Sequence, residues 1–153
     1  MVAIGDKAPK FSLPDQDGDT VRLGDYRDDT LVLYFYPKAN TSGCTRESVA
    51  FQENLSRFKR AGAVVVGVSR DRAELQKKFR SQHGLRFTLL TDADASVHKA
   101  YGAWGTKKMY GKTTEGVIRS TFVIKDGVIA ALWRNVKVSG HVEKVLEAVK
   151  DLR

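Results

Sequence analysis

The hydrophobic positions of this chain alternate between two kinds of pattern. Residues 31–36 (LVLYFY) and 63–68 (AVVVGV) are continuous apolar runs. Such runs predict central strands covered on both faces. Pro37 stops the first, because proline cannot supply a ladder N–H. Between the runs the period lengthens: Cys44, Ser48, Phe51, Leu55 and Phe58 recur at spacings of four and three. That is one face of a helix, predicted from about Ser42 to Arg60 and ended by Gly62. Thr41 or Ser42 can act as its N-cap, with Glu47 in or near its first turn. After the second strand, Ser69 or Asp71 can cap another helix. Asp71 and Glu74 stand at capping-box spacing, Leu75 and Phe79 lie on the inner face, and Gly84 closes it.

The pattern then weakens. Phe87–Leu90 predicts a short strand and Ala95–Tyr101 a short helix, while the glycine-rich stretch from Gly102 to Gly116 predicts an irregular loop. Arg119–Ile124 and Val128–Trp133 predict two strands joined at Lys125-Asp126-Gly127, a strong hairpin signal. A last helix is predicted from near Ser139, with Val142, Val145, Leu146 and Val149 as its apolar stripe. Ahead of all this, Phe11–Leu13 and Val21–Leu23 flank DQDGDT and predict a small N-terminal hairpin. Strand–helix alternation implies parallel pairing, and the terminal hairpin makes the sheet mixed. The expectation is an α/β fold in a single domain spanning 1–153: a central mixed sheet, helices on both faces and an N-terminal β-hairpin.

Composition narrows the function. The chain has 153 residues, one cysteine and a formal net charge of +8. A single cysteine excludes an internal disulfide framework and fits a reducing compartment. The opening MVAIGDKAPK lacks the apolar core of a secretory signal, and no apolar run reaches membrane-spanning length. A cytoplasmic location without a membrane partner is expected. Lysines and arginines are interleaved with acids, as in DRAELQKKFR and HVEKVLEAVKDLR. Faces of this kind are solvated surface rather than a phosphate-binding stripe, so no nucleic-acid partner is expected. A basic exterior could help to recruit an acidic redox partner.

Candidate chemistry centres on Cys44. It follows a buried strand, sits at a predicted helix N-terminus and neighbours the hydroxyls of Thr41, Ser42 and Thr45, where free N–H groups and the helix dipole favour a thiolate. A helix end contributes up to about 2 kcal/mol. Lowering an ordinary thiol from about 8.5 to about 6 demands about 3.4 kcal/mol, so a nearby cation is required as well. The N–H groups of Gly43 and Cys44, together with Thr41, are candidates for holding a reacting oxygen. There is no C-x-x-C, and position 50 is alanine where a cysteine phosphatase needs arginine. His83, His98 and His141 lack metal-ligand spacing, and the stretch Gly105–Thr113 has five residues between its glycines where a phosphate loop has four.

Pro37-x-x-x-Thr41-x-x-Cys44 resembles the peroxiredoxin signature. The longer YPKANTSGCTRES, GVSRD, YGAWGTKKMYGK and RSTFVIKDG are similar to the bacterioferritin-comigratory, or PrxQ-type, subfamily. The resemblance covers most of the chain and implies a thioredoxin-like fold. It implies that Cys44 is the peroxidatic thiolate, that Thr41 hydrogen-bonds the peroxide and the sulfur, and that Pro37 shields the pocket. Arg119 would supply the missing cation, with Glu47 in a supporting role. Many members carry a second cysteine five residues after the first, where this chain has Val49; others place it on the following helix, where residues 80–84 contain none. A one-cysteine peroxidase cycle is therefore expected. Its substrate is hydrogen peroxide or an organic hydroperoxide, and its reductant is an external thiol: thioredoxin, a glutaredoxin-like protein or a low-molecular-weight thiol. No metal or organic cofactor is implied, and a monomer, or else a dimer, is expected. The alternative is a peroxide-sensing thiol protein without efficient turnover.

Overall fold

The computed structural model describes residues 2–152, apart from the side chain of Met109. Its frame is a five-stranded sheet of order β5-β4-β3-β8-β9. Strands β3 (Thr30–Phe35), β4 (Ala63–Ser69) and β5 (Thr88–Thr91) run parallel. Strand β8 (Ser120–Lys125) joins β3 antiparallel, and β9 (Val128–Arg134) pairs with β8. The thioredoxin-like fold, its mixed sheet and its N-terminal hairpin, β1 (Ser12–Pro14) with β2 (Thr20–Arg22), are as expected.

Alternation along β3 divides the core in two. Val32, Tyr34 and Tyr36 face one layer with Phe51, Phe58, Phe79 and Val145. Leu31, Leu33 and Phe35 face the other with Phe11, Tyr101 and Phe122. The first layer is roofed by α1 (Ser42–Glu53), α2 (Leu55–Arg60), α3 (Ala73–Gln82) and α5 (His141–Asp151). The second is covered by α4 (Ser96–Tyr101) and the N-terminal segment. The chain steps from β3 to β4 to β5 in one direction, and right-handed crossovers put α1–α3 on one face. The return step from β5 to β8 brings α4 to the other. Where α1 passes over the sheet, Tyr34 stacks on Phe51 at 4.5 Å and its hydroxyl bonds Ser48 at 2.8 Å. Beneath, a Cβ on Gly67 would lie 2.9 Å from the Tyr34 ring and from Leu89, so only glycine fits.

Four local expectations are corrected. The helix predicted over 42–60 is two helices, broken at Asn54, whose backbone leaves the helical region (φ −103°, ψ 6°) while its amide donates to the Ala50 carbonyl. Asparagine competes for backbone partners in this way. The capping box at Asp71 does not form. Arg72 holds the N-cap position, and the Asp71 carboxylate instead accepts the Ala39 N–H (2.7 Å) and the Ser69 hydroxyl (2.8 Å). Leu75 is 40% exposed, while Gln76 and Phe79 are the buried residues of α3. The stretch read as an irregular loop is a second hairpin, β6 (Trp104–Met109) with β7 (Lys112–Val117). Its turn places Tyr110 and Gly111 both at positive φ (52° and 76°), as a two-residue primed turn requires.

Candidate active site

The site forms where β3 ends and α1 begins, at the carboxyl edge of the parallel strands. Tyr36 still bonds Val68 through its N–H (3.0 Å), and the half-buried Pro37 then turns the chain out of the sheet. Asn40 takes a left-handed conformation (φ 62°), which asparagine tolerates better than most residues. Its side chain bonds Gln82 and His83 at the end of α3. The loop is held from below too, since Asp71 accepts the Ala39 N–H. Ser69 and Gln76 extend this contact to Leu90 and to the Tyr36 hydroxyl. Sequence reasoning missed Asp71 and Gln76. With Leu75 and Phe79 expected on the inner face of α3, no local signal points to such a network.

Thr41 is the N-cap residue of α1 (φ −85°, ψ 155°) and its carbonyl accepts the Thr45 N–H at 2.8 Å. Its hydroxyl turns away and donates to the Lys38 carbonyl at 2.8 Å. No side-chain oxygen caps this helix end, so the cap expected of Thr41 or Ser42 is made by backbone alone. The N–H groups of the first turn, Gly43 and Cys44 among them, have no side-chain cap.

Cys44 is the third residue of α1 and fully buried. Arg119, immediately before β8, reaches across 75 positions of sequence and sets Nη2 3.4 Å from the Cys44 sulfur. The same guanidinium donates from Nη1 to Glu47 Oε1 at 2.7 Å. A Cβ at position 43 would lie 3.1 Å from Nη2, so Gly43 leaves room for the guanidinium. Glu47 lies beyond the first turn of α1, completely buried, with Oε2 unpartnered. Burial pushes its carboxyl up to about 7, and Arg119 pulls the other way. For Arg119, burial lowers the guanidinium, but Glu47 and Cys44 outweigh it and hold it above its ordinary value. The structure thus brings Cys44, Gly43, Glu47 and Arg119 together, sets the half-buried Pro37 in the loop between β3 and α1, and leaves the Thr41 hydroxyl turned toward Lys38. Among the described residues no group of three or more acidic, histidine or cysteine side chains could hold a metal ion. No described helix is long and apolar enough to cross a membrane.

The model of the AhpC/TSA family matches residues 4–132. The chain belongs to the AhpC/TSA family. A putative peroxiredoxin of Mycobacterium tuberculosis is 53% identical over 142 residues, covering 92% of this chain and 90% of that protein. Peroxiredoxin Bcp of Bacillus subtilis is 43% identical over 152 residues, covering 99% and 97%. Among solved structures, a mutant of PrxQ from Xylella fastidiosa superposes with a TM-score of 0.93 at 38% identity, covering 99% of this chain and 98% of that one. The bacterioferritin comigratory protein of Xanthomonas campestris, studied for its alkyl peroxide reduction activity, gives 0.89 at 38% identity with 93% and 91% covered. This AhpC/TSA member is a one-cysteine variant of the bacterioferritin-comigratory, or PrxQ-type, peroxiredoxins.

Proposed function

We propose that this peroxiredoxin reduces hydrogen peroxide and organic hydroperoxides through a one-cysteine cycle at Cys44. The observation that carries the reading is the contact of Arg119 with the Cys44 sulfur at the first turn of α1. The thiolate attacks one peroxide oxygen and the O–O bond breaks. Sulfur loses two electrons and becomes a sulfenic acid, while the other oxygen leaves with a proton as water or alcohol. Arg119 and the N–H groups of Gly43 and Cys44 stabilise the charge that moves onto the leaving oxygen. Pro37 keeps bulk water from the pocket, Glu47 orients Arg119, and the Thr41 hydroxyl serves the peroxide on turning away from Lys38. With one cysteine in 153 residues, resolution falls to an external thiol. It displaces the sulfenic oxygen as water to form a mixed disulfide, and a second thiol frees Cys44. Thioredoxin, a glutaredoxin-like protein or a low-molecular-weight thiol fits this step. The chain functions as a single domain, as a monomer or dimer, and the lone free thiol suits the cytoplasm.

The test is peroxide turnover with a panel of thiols, followed by mass spectrometry of Cys44. Catalytic consumption by the wild type and none by Cys44→Ser is the expected result. Turnover retained in Cys44→Ser refutes the assignment, and stoichiometric consumption with every thiol favours a sensing role instead.

A further inference from the structure

The hairpin formed by β6 and β7 leads directly into the segment that carries Ile118 and Arg119. Gly105, Lys107 and Gly116 lie on one, partly covered face of the ribbon, with Thr114 of that face exposed; on the opposite face Thr106, Lys108, Thr113 and Glu115 are exposed, while Trp104 and Val117 are covered at the base. A Cβ at Gly105 would meet Ile118 at 3.5 Å, which turns the covered face toward the segment carrying Arg119. The stem of Lys107 crosses Gly116, where a Cβ would sit 3.9 Å from its Cδ. At the hairpin base the Ile118 N–H bonds the Ala103 carbonyl at 2.9 Å. Two positions on from Gly105 and on the same face of the ribbon, Lys107 interacts electrostatically with both Arg119 and Cys44. Burial lowers Lys107, Arg119 lowers it further, and Cys44 raises it.

Formal charges explain what such a cation does. With Cys44 as thiolate, Lys107 and Arg119 face the sulfur and, above about pH 7, an ionised Glu47. Oxidation to a neutral sulfenic acid removes one negative charge and makes the pocket more positive by one, whichever form Glu47 takes. The oxidised site therefore attracts an anion more strongly than the reduced site does.

We propose that Lys107 is a positioning residue for resolution, drawing a low-molecular-weight thiol that carries a carboxylate to oxidised Cys44 ahead of neutral or cationic thiols. This role rests on the one-cysteine cycle proposed above. In the step it assists, the incoming thiolate forms the S–S bond to Cys44 while the sulfenic S–O bond breaks. The oxygen leaves as water, taking the proton of the incoming thiol, and the sulfenic sulfur is reduced as the thiol sulfur is oxidised.

The experiment oxidises the full chain with one equivalent of hydrogen peroxide. Reduction of Cys44 by 3-mercaptopropionate, 2-mercaptoethanol and cysteamine is then followed by stopped-flow fluorescence, with rates compared per thiolate. At low salt the wild type is expected to favour the carboxylated thiol over the neutral one by about three- to tenfold. Lys107→Gln is expected to bring that ratio near one, and Lys107→Arg to restore it. The ratio cancels any general loss of activity. An unchanged ratio in Lys107→Gln overturns the proposal. So does an equal fall in Lys59→Gln, an exposed position on α2 near the far end of the sheet, which would assign the effect to overall charge. A wild-type ratio near one with fast reduction by thioredoxin also overturns it and gives the hairpin to a protein partner. If no thiol reduces oxidised Cys44, the one-cysteine cycle itself fails, a result distinct from unselective reduction.

Discussion

Replacing Glu47 by glutamine should stabilise the fold increasingly as pH rises while slowing the oxidation of Cys44. In the native state Glu47 is completely buried, one oxygen paired with Arg119 and the other unpartnered. Burial raises its carboxyl from 4.5 to about 7 despite that pair. Above 4.5 the unfolded chain ionises Glu47 while the folded chain still holds the proton. Its contribution to stability is therefore fully present below about 4.5 and is lost as pH rises through about 7. The whole interval corresponds to about 3 kcal/mol, of which about 2.5 kcal/mol falls between pH 5 and pH 8. Glutamine does not titrate, so every pH-independent consequence of the substitution cancels between the two pH values. Guanidinium unfolding followed by tryptophan fluorescence at pH 5 and pH 8 measures the difference. The stability of Glu47→Gln relative to wild type should improve by about 2–3 kcal/mol at the higher pH. A change below about 0.5 kcal/mol, or one of opposite sign, would refute the reasoning, because it would mean that Arg119 keeps Glu47 ionised throughout. The oxidation rate at pH 8 should fall on the order of tenfold in the same variant, since an amide oxygen holds the Arg119 guanidinium less firmly than an ionised carboxylate does.

Three further expectations concern what surrounds the site. Gly67→Ala places a methyl 2.9 Å from Tyr34 and Leu89, and should cost about 1–3 kcal/mol in denaturant unfolding; a cost below about 0.5 kcal/mol would show that this layer has slack. Asp71→Asn weakens the acceptor that holds the Ala39 N–H and should slow peroxide oxidation several-fold with little change in the unfolding midpoint. A lowered midpoint with an unchanged oxidation rate would make Asp71 a matter of fold alone. His141 is buried with its Nε2 on the Thr121 hydroxyl, and burial, then Lys144 and Arg119, lower it from 6.5 to about 4. The stability it contributes is present above 6.5 and is lost as pH falls toward 4, so His141→Gln should flatten the acid limb of a stability profile. An unchanged limb would place the acid-labile group elsewhere.

Much of this molecule could be read from local pattern because local physics decides it. The uninterrupted runs at 31–36 and 63–68 have no stable place except the centre of a covered sheet. Proline after Tyr36 ends the first strand wherever that strand packs. The two primed-turn hairpins mark the limit of such reading. Asp126-Gly127 and Tyr110-Gly111 adopt the same pair of positive φ angles. The first announces itself because Asp-Gly is suited to them; the second does not, because tyrosine is not. Tyr110 is 98% exposed, and pairing of the flanking strands holds it there. Asn54 likewise interrupts a periodicity that continues through it.

For the site, the sequence by itself determined the nucleophile and its setting: one cysteine, in the first turn of a helix that follows a buried strand. It also determined that the resolving sulfur comes from another molecule. Arg119 entered only through family resemblance, since no local pattern separates a strand-end arginine that reaches a thiol from one that reaches water. Tertiary structure decided that contact, because antiparallel pairing of β8 with β3 sets residues 36 and 119 at the same edge of the sheet. It also decided the burial of Glu47, the turn of the Thr41 hydroxyl toward Lys38, and the approach of Lys107 from the hairpin. Charge placement of this kind depends on distance and desolvation, and both are properties of the packed chain rather than of its order.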